Sequence, residues 1–387
     1  MEKTFYNKKE DKYINSESLL KPKKIRNPGI DFGRILAMFS IITHHILLHG
    51  KAIIKYRQFK ELNKLNTSIF WHVSTYIFIS GYIGYKSTRY SNLFYLWICT
   101  LFYSIGISQF FTIFKPHIFN KKIELIDFFP VLTSNYWYFT RYFGMYLFLP
   151  IINKGIENLN QSQFRVMIII LISVYIILKD SIVPKLNPFC MNGGYSVIWF
   201  LLFYSTGAYF GKFEKNRNLL KKSINNIKYI LIFFFSTNLC FILQKYKIND
   251  NNHEFKDKII KFLKSIFIRR INAFPMILQS ISVILLVTNI NYNKFIANII
   301  TFIGPLTFGI YLIHENKIIR GKIMKNILNK YSTNIPFYMV ISIIFKLSLE
   351  IFIGCAIIDY FRNILFQILQ IRRICIFTEK LVFAIFG

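Results

Sequence analysis

Acidic residues are scarce in this chain of 387 residues, where 18 Asp and Glu accompany 49 Lys and Arg and all charged residues together reach only 17%. Cysteine is sparse as well, with five residues that lie far apart and form no C-x-x-C pair. An odd and dispersed set of cysteines predicts neither a disulfide framework nor a zinc site. The first 29 residues hold eight Lys and Arg and no apolar stretch, so we expect no cleavable signal peptide.

Apolar and aromatic residues, by contrast, are abundant. Hydrophobic residues make up 53% of the sequence, aromatic residues 18%, and the mean hydropathy is +0.38. Soluble domains carry about 25% charged residues, which is well above the fraction found here. Lys and Arg lie almost wholly between long apolar runs, where cations meet anionic lipid headgroups. The net charge of +31 therefore predicts contact with membrane lipids and no binding of nucleic acid.

Ten apolar stretches approach the length of about 20 residues that a helix needs to cross a bilayer. They are continuously apolar, whereas the strands of a membrane barrel would alternate, so we predict an all-α polytopic membrane protein with a bundle of about ten transmembrane helices. We expect a basic segment at 1–29, the membrane domain at 30–362 and a basic and apolar tail at 363–387. The stretches are Ile30–Leu48, Ser68–Tyr85, Leu93–Ile113, Tyr136–Ile152, Val166–Lys179, Tyr195–Phe210, Tyr229–Leu243, Ala273–Ile290, Phe295–Ile313 and Ile335–Ile358.

The charges that flank these stretches do not settle the orientation, because the two sides of the membrane would carry equal numbers of Lys and Arg. The first helix usually dominates, and eight cations precede it. We therefore expect both termini in the cytoplasm, with the chain crossing the cell (plasma) membrane several times.

The first stretch carries three ionisable residues in a regular arrangement. Arg34 and His45 are eleven residues apart, which places them on one helix face, three turns and about 16.5 Å from each other. Asp31 precedes Arg34 by three residues and is placed to form an ion pair with it. A charge as deep as His45 costs about 2.5–3.5 kcal/mol, so this residue is expected to face a cavity or a partner.

Two other interpretations of His45 stay open at this point. It could be a buried histidine that only bonds a neighbouring helix, or it could bind metal or haem together with His49, four residues on. No carboxylate is close to the pair in the sequence, and His49 lies at the membrane edge. We therefore predict no metal site.

Four further segments carry motifs rich in aromatic residues, serine and glycine. They are Tyr76–Tyr82 with Ser80-Gly81, Tyr136–Pro150, Gly194–Tyr209, and Thr307–Asn316 with His314-Glu315. With the Asp31, Arg34 and His45 pattern, these segments resemble, in matching order, the integral-membrane acyltransferase 3 family, whose members O-acylate surface glycans and other exported molecules. The likeness is greatest to the polysaccharide-modifying branch of that family.

The resemblance implies a membrane O-acyltransferase that moves an acyl group, expected to be acetyl, from a cytoplasmic acyl-CoA to a hydroxyl of a surface or exported polysaccharide. Acyl-CoA is then a donor substrate, and no bound cofactor is expected. Histidine suits a general base, since its ordinary pKa of about 6.5 is near operating pH. His45 is accordingly the predicted catalytic residue, either as a base or as a transient acyl carrier, and Arg34 the predicted partner of donor phosphates.

Further candidates for binding donor or acceptor are Asp31, Ser80, Tyr82, Arg89, Arg141 and His314. Ser80 and Tyr82 are predicted to line the site or to donate to an oxyanion, although a small-residue helix contact explains them equally well. Arg89 ends the segment Lys86-Ser-Thr-Arg89, which stands where the family often has R-x-x-R. Arg141 departs from the family by replacing a small apolar residue, and it is placed to meet an acidic group or a substrate anion.

Two functions without acyl transfer also fit a ten-helix bundle with basic loops. A transporter or flippase would move a glycan or lipid-linked saccharide and form no covalent product, but the inverted repeats and paired broken helices typical of transporters are not visible. A scaffold subunit would instead dock glycan-assembly proteins on its basic loops. In a transporter, Arg34 and Arg141 would bind the anionic groups of the glycan. In a scaffold subunit, the side chains of Arg34 and His45 would be dispensable.

Overall fold

A computed structural model describes residues 26–86, 88–114, 125–133, 135–177, 192–213, 219–245, 263, 267, 271 and 273–386. Within these residues the chain is almost entirely helical and contains no strand. Most of the predicted basic segment at 1–29 lies outside the described residues.

Each of the ten predicted stretches overlaps a helix, and we number these helices α1 to α10. The helices are α1 Pro28–Leu48, α2 His72–Gly84, α3 Tyr90–Phe114, α4 Trp137–Asn158, α5 Gln161–Ile177, α6 Val197–Phe213, α7 Leu219–Lys245, α8 Phe274–Asn289, α9 Lys294–His314 and α10 Phe337–Ile368. Helix α9 is interrupted by a 3₁₀ turn at Gly304–Leu306. An eleventh helix, α11, spans Ile371–Phe386.

Five helices in the described part of the chain are long and apolar enough to cross a membrane: α1, α3, most of α7, α9 and α10. Large apolar side chains on α5, α7 and α10 are exposed, including Ile169, Phe235 and Ile357. Such surfaces are suited to hydrocarbon, which offers no water to satisfy polar groups. The predicted all-α polytopic membrane fold is confirmed.

Short helical segments connect the long helices and contribute to the sites described below. They are Ala52–Lys55, Glu61–Ser68, Leu125–Phe128, the 3₁₀ turns Asn192–Gly194 and Met324–Asn326, and the π-helical turn Ile319–Ile323.

Helix α1 is the central element of the bundle. It begins where the Asn27 side chain accepts a hydrogen bond from the Gly29 amide and where Pro28 fills the first turn, both of which are common helix starts. Thirteen of its 21 residues are buried, and it packs against α2, α8, α9 and α10. Most residues on α1 are therefore surrounded by protein.

Glycines bring α2 and α6 into close contact. A Cβ at Gly81 would overlap the backbone carbonyl of Tyr204, and a Cβ at Gly207 or Gly211 would overlap carbonyls of α2. Small residues at helix interfaces are the usual means of close packing in membranes. The Ser80-Gly81 motif is thus explained by packing at this interface.

Candidate active site

A cavity of about 320 Å³ lies beside the second half of α1. Four of the five histidines in the described part of the chain line it: His44, His45, His49 and His72. The rest of the wall is mostly apolar and aromatic, which is typical of pockets that bind small molecules. We call this the histidine cavity.

His45 faces a carboxylate in this cavity. Its Nδ1 atom lies 3.2 Å from Oε2 of Glu315, and the two side chains are 13% and 2% exposed. The pair is not aligned as a hydrogen bond, and neither atom has another partner in the described part of the chain. Catalytic contacts are often loose before substrate binds and tighten afterwards. A carboxylate at Nδ1 favours the tautomer with its proton on that atom and leaves Nε2 free to act as a base.

Glu315 is the residue immediately after α9, and its charge needs compensation there. A negative charge at a helix C-terminus is unfavourable, because the last carbonyls already carry partial negative charge. Arg320, on the π-helical turn, donates a hydrogen bond to Oε1 of Glu315 and supplies that compensation. Burial raises the pKa of Glu315 to about 7, while the Arg320 guanidinium acts in the opposite direction. The carboxylate form is therefore lost as the pH falls through about 7.

The neighbouring histidines are held by other groups. Nδ1 of His44 lies 2.6 Å from the amide oxygen of Asn66, on the short helix Glu61–Ser68. Nδ1 of His314 donates to the backbone carbonyl of Ile310 at 2.6 Å, and its ring centre is 5.2 Å from that of His45. His314 packs beside His45 without lining the cavity. Of these histidines, His45 is the one that has a carboxylate at its ring nitrogen.

Tyrosines also line the histidine cavity. The ring of Tyr138 lies 6.3 Å from that of Tyr76 and 5.9 Å from that of Tyr311. The hydroxyl of Tyr311 is buried and has no hydrogen-bond partner within the described residues. A hydroxyl of this kind is suited to donate to negative charge that develops on a bound substrate.

Arg34 lies in a second, larger cavity of about 880 Å³ at the end of the bundle where α1 begins. The fully buried carboxylate of Asp31 accepts a hydrogen bond from Arg34 at 2.8 Å and two from Arg26 at 2.5 and 2.8 Å. The side chain of Phe308 lines both cavities, and they adjoin each other there. The structure thus places Arg34 and His45 in two neighbouring cavities.

The remaining predicted site residues lie elsewhere. The Ser80 hydroxyl donates to a backbone carbonyl of its own helix, and Tyr82 is buried in the core between α2 and α6. The backbone carbonyl of Arg89 accepts a hydrogen bond, and Nε of Arg141 donates to the carbonyl of Tyr195 at 3.1 Å. Tyr195 lines the histidine cavity, but none of these four predicted side chains lines either cavity.

Three possible metal ligands also meet in the histidine cavity. His45, His49 and Glu315 each offer one ligand atom, and these atoms lie within 4.8 Å of one another. No carboxylate is close to His45 and His49 in the sequence, but folding brings Glu315, which directly follows α9, beside α1. The guanidinium of Arg320 occupies one oxygen of this carboxylate and opposes a cation electrostatically. The prediction of no metal site stays a prediction.

Sequence reasoning missed several residues of the cavity. Glu315 was noticed only as part of the His314-Glu315 motif, although a carboxylate at the end of an apolar stretch is itself a signal of function. Arg320 carried no signal, since its approach to Glu315 depends on the π-helical turn. His72 became recognisable as a cavity residue only once α1 and α2 were placed side by side, whereas His49 had been singled out in the sequence only as a possible metal or haem ligand beside His45.

Comparison with known proteins agrees with this architecture. The sequence model of the acyltransferase 3 family, described as an acyltransferase domain, matches residues 27–360, which is most of the chain. No curated protein and no solved structure matches the chain. The match includes both α1 and the segment that carries Glu315 and Arg320. The chain belongs to the acyltransferase 3 family and is a membrane acyltransferase.

Proposed function

We propose that this protein O-acylates a surface or exported polysaccharide, taking an acyl group, in the simplest case acetyl, from acyl-CoA. The observation that carries the proposal is the contact of 3.2 Å between His45 Nδ1 and Glu315 Oε2 inside a largely apolar cavity. A histidine oriented by a buried carboxylate is the arrangement that general-base catalysis of acyl transfer requires.

The chemistry would proceed with His45 as the base. Nε2 removes the proton of the acceptor hydroxyl while its oxygen attacks the thioester carbonyl, and Glu315 stabilises the imidazolium that forms. The developing oxyanion lies within an aromatic wall where Tyr311 has an unused hydroxyl. The C–S bond then breaks, the thiolate takes the proton from His45, and the products are the ester and free CoA.

The two adjoining cavities suit a donor and an acceptor that enter from opposite sides. We assign the end with Arg34 to the cytoplasm, where acyl-CoA is present, so both ends of the described chain would face the cytoplasm at the plasma membrane. Arg34 is placed to meet donor phosphates, because guanidinium groups bind phosphate by paired hydrogen bonds. The acceptor glycan would approach the histidine cavity from the other side.

A direct test compares esterification in cells. Cells that lack the protein are complemented with the wild type or with His45→Ala at matched membrane levels, and the alkali-labile O-acyl content of their surface glycans is measured. We expect the wild type to restore the ester and His45→Ala to leave it absent. Mass spectrometry of the released acid identifies the acyl group.

Glu350→Gln provides a matched control, because it alters an exposed carboxylate on α10 that pairs only loosely with Lys346, at 3.9 Å. This variant should restore the ester as the wild type does. If His45→Ala also restores it, His45 is structural and the mechanism is wrong. If export of the glycan changes while its ester content does not, a transporter or flippase replaces the acyltransferase reaction.

A further inference from the structure

The cavity that contains Arg34 is unusually rich in arginine. Its wall holds five arginines, and no Asp or Glu from the described residues lines it. They are Arg26 and Arg34 near the start of α1, Arg362 on α10, and Arg372 and Arg373 on α11. We call it the arginine cavity.

The carboxylates behind this wall neutralise only part of its charge. Asp31 is shared by Arg26 and Arg34, and Asp359 receives two hydrogen bonds from Arg362, at 2.9 and 2.7 Å. Among the described residues, five guanidinium groups therefore meet two carboxylates, which leaves an excess of three positive charges. A concave site with such an excess attracts a ligand that carries several negative charges.

Arg372 and Arg373 bind neutral partners in the described part of the chain. Arg372 donates to the side-chain oxygen of Asn92 at 2.9 Å and stacks on the ring of Tyr95 at 5.2 Å. Arg373 donates to the side-chain oxygen of Gln370, also at 2.9 Å. Both arginines are exposed, so their charges are available at the mouth of the cavity.

A tight turn between α10 and α11 places these two arginines. Gln370 adopts a left-handed conformation with φ 51°, which reverses the chain after Leu369. The first turn of α11 thereby returns to the cavity beside Arg362. The turn and α11 lie beyond residue 360, where the family match ends, so this part of the wall belongs to a segment outside the matched domain.

The distance to the histidine cavity suits a long carrier. Arg34 and His45 are about 16.5 Å apart along α1. The pantetheine arm of CoA is about as long as four to five residues of extended chain, which is roughly 15 Å. Phe308 lies where the two cavities adjoin, so a carrier with its phosphates among the arginines would pass this side chain to bring its thioester near His45.

We propose that Arg372 and Arg373 bind the 3′-phosphate of the CoA nucleotide, while Arg26 and Arg34 bind its pyrophosphate. This inference rests on the proposed function, because it assumes that the donor is an acyl-CoA. The assignment follows from position: the 3′-phosphate is at the end of the carrier farthest from the thioester, and Arg372 and Arg373 are at the exposed mouth of the cavity. Paired hydrogen bonds from guanidinium groups are the strongest recognition of phosphate that side chains provide.

The test measures equilibrium binding of CoA and of dephospho-CoA, which lacks the 3′-phosphate, to the full-length protein in nanodiscs of zwitterionic lipid. We expect the wild type to prefer CoA, and the double variant Arg372→Gln/Arg373→Gln to bind CoA about tenfold more weakly and to lose the preference. Lys380→Gln removes a positive charge from the same helix outside the cavity and should bind as the wild type does. The variant Arg372→Lys/Arg373→Lys keeps both positive charges and should retain part of the preference for CoA. Comparison with the Gln variant thus distinguishes an effect of lost charge from an effect of misfolding.

Other results would overturn the inference in distinguishable ways. If the double Gln variant keeps the full preference for CoA, the two arginines do not bind the 3′-phosphate, although the proposed function stands. If the wild type binds neither nucleotide, the assumption of an acyl-CoA donor fails. A final measurement compares the anionic phospholipid bound by the wild type and by the double variant in nanodiscs that contain such lipid. If the double variant loses bound anionic lipid and keeps its affinity for CoA, the cavity binds a lipid headgroup instead.

Discussion

Replacing Glu315 by Gln tests the proposed catalytic pair of His45 and Glu315 most directly. The amide keeps the shape of the carboxylate at the His45 ring, where Oε2 lies 3.2 Å from Nδ1. It removes the negative charge that stabilises the imidazolium, and its NH₂ group can face Nδ1 and favour the wrong tautomer. A positioned general base is worth about 10²–10⁴-fold in rate, so we expect kcat to fall within that range.

The cost to stability should be much smaller than the cost to catalysis. Arg320 loses a charged partner, but its side chain is 34% exposed and can still reach polar surroundings. A lost hydrogen bond to a charged group typically costs about 1.5–3 kcal/mol, which a folded membrane bundle can absorb. Membrane abundance and thermal unfolding should therefore remain near those of the wild type.

The assay follows initial rates of thiol release and ester formation in membranes at saturating donor, with Glu350→Gln as the control. The control should retain the wild-type rate, because Glu350 is 55% exposed and lines neither cavity. A Glu315→Gln rate within about threefold of the wild type, in a protein that is equally abundant, would refute the assignment of Glu315 as the group that orients the base.

Three further predictions concern the surroundings of the pair. Arg320→Gln removes a positive charge that favours the ionised form of Glu315, so the pKa of Glu315, already raised to about 7, should rise further. The acidic limb of the pH–rate profile should therefore move to higher pH. Phe308→Ala should widen the junction of the two cavities and increase kcat/KM for butyryl-CoA relative to acetyl-CoA, measured by competition. Gly309→Ala places a methyl group against a buried carboxylate of α10 and should lower the free energy of unfolding, measured by thermal unfolding, by about 1–3 kcal/mol. Gly354→Ala is the control, because Gly354 has open space around it and its substitution should leave the free energy of unfolding unchanged.

The helices of the bundle were predictable because each depends mainly on local composition. Every apolar stretch became a helix, since backbone groups in hydrocarbon must be paired within the segment. Helix α11 was not predicted: it is amphipathic, and its start depends on the left-handed turn at Gln370. A single residue in such a conformation leaves little trace in composition, so the sequence indicated only a basic and apolar tail.

The candidate site was only partly predictable, because it depends on contacts between distant segments. The spacing of Asp31, Arg34 and His45 follows from the geometry of one helix, and the ion pair between Asp31 and Arg34 is present. The pairing of His45 with Glu315 joins α1 to the end of α9, and no periodicity within either segment indicates it. Ser80 and Tyr82 stood out because their segment resembles a family motif and because both carry hydroxyl groups, but the glycine of that motif follows from the close contact of α2 with α6.

The shape of the interior favours chemistry over transport. A transporter must pass its whole substrate from one side to the other, whereas the histidine cavity has a volume of about 320 Å³, near the lower limit for pockets that hold small molecules. An acyl group and one sugar hydroxyl fit such a volume, but a glycan chain does not. The large and charged space lies instead at the other end, behind Phe308, where a carrier can remain bound while only its acyl group reaches His45. This division explains why one helix carries an arginine and a histidine three turns apart: the first would bind the carrier, and the second would act on what it delivers.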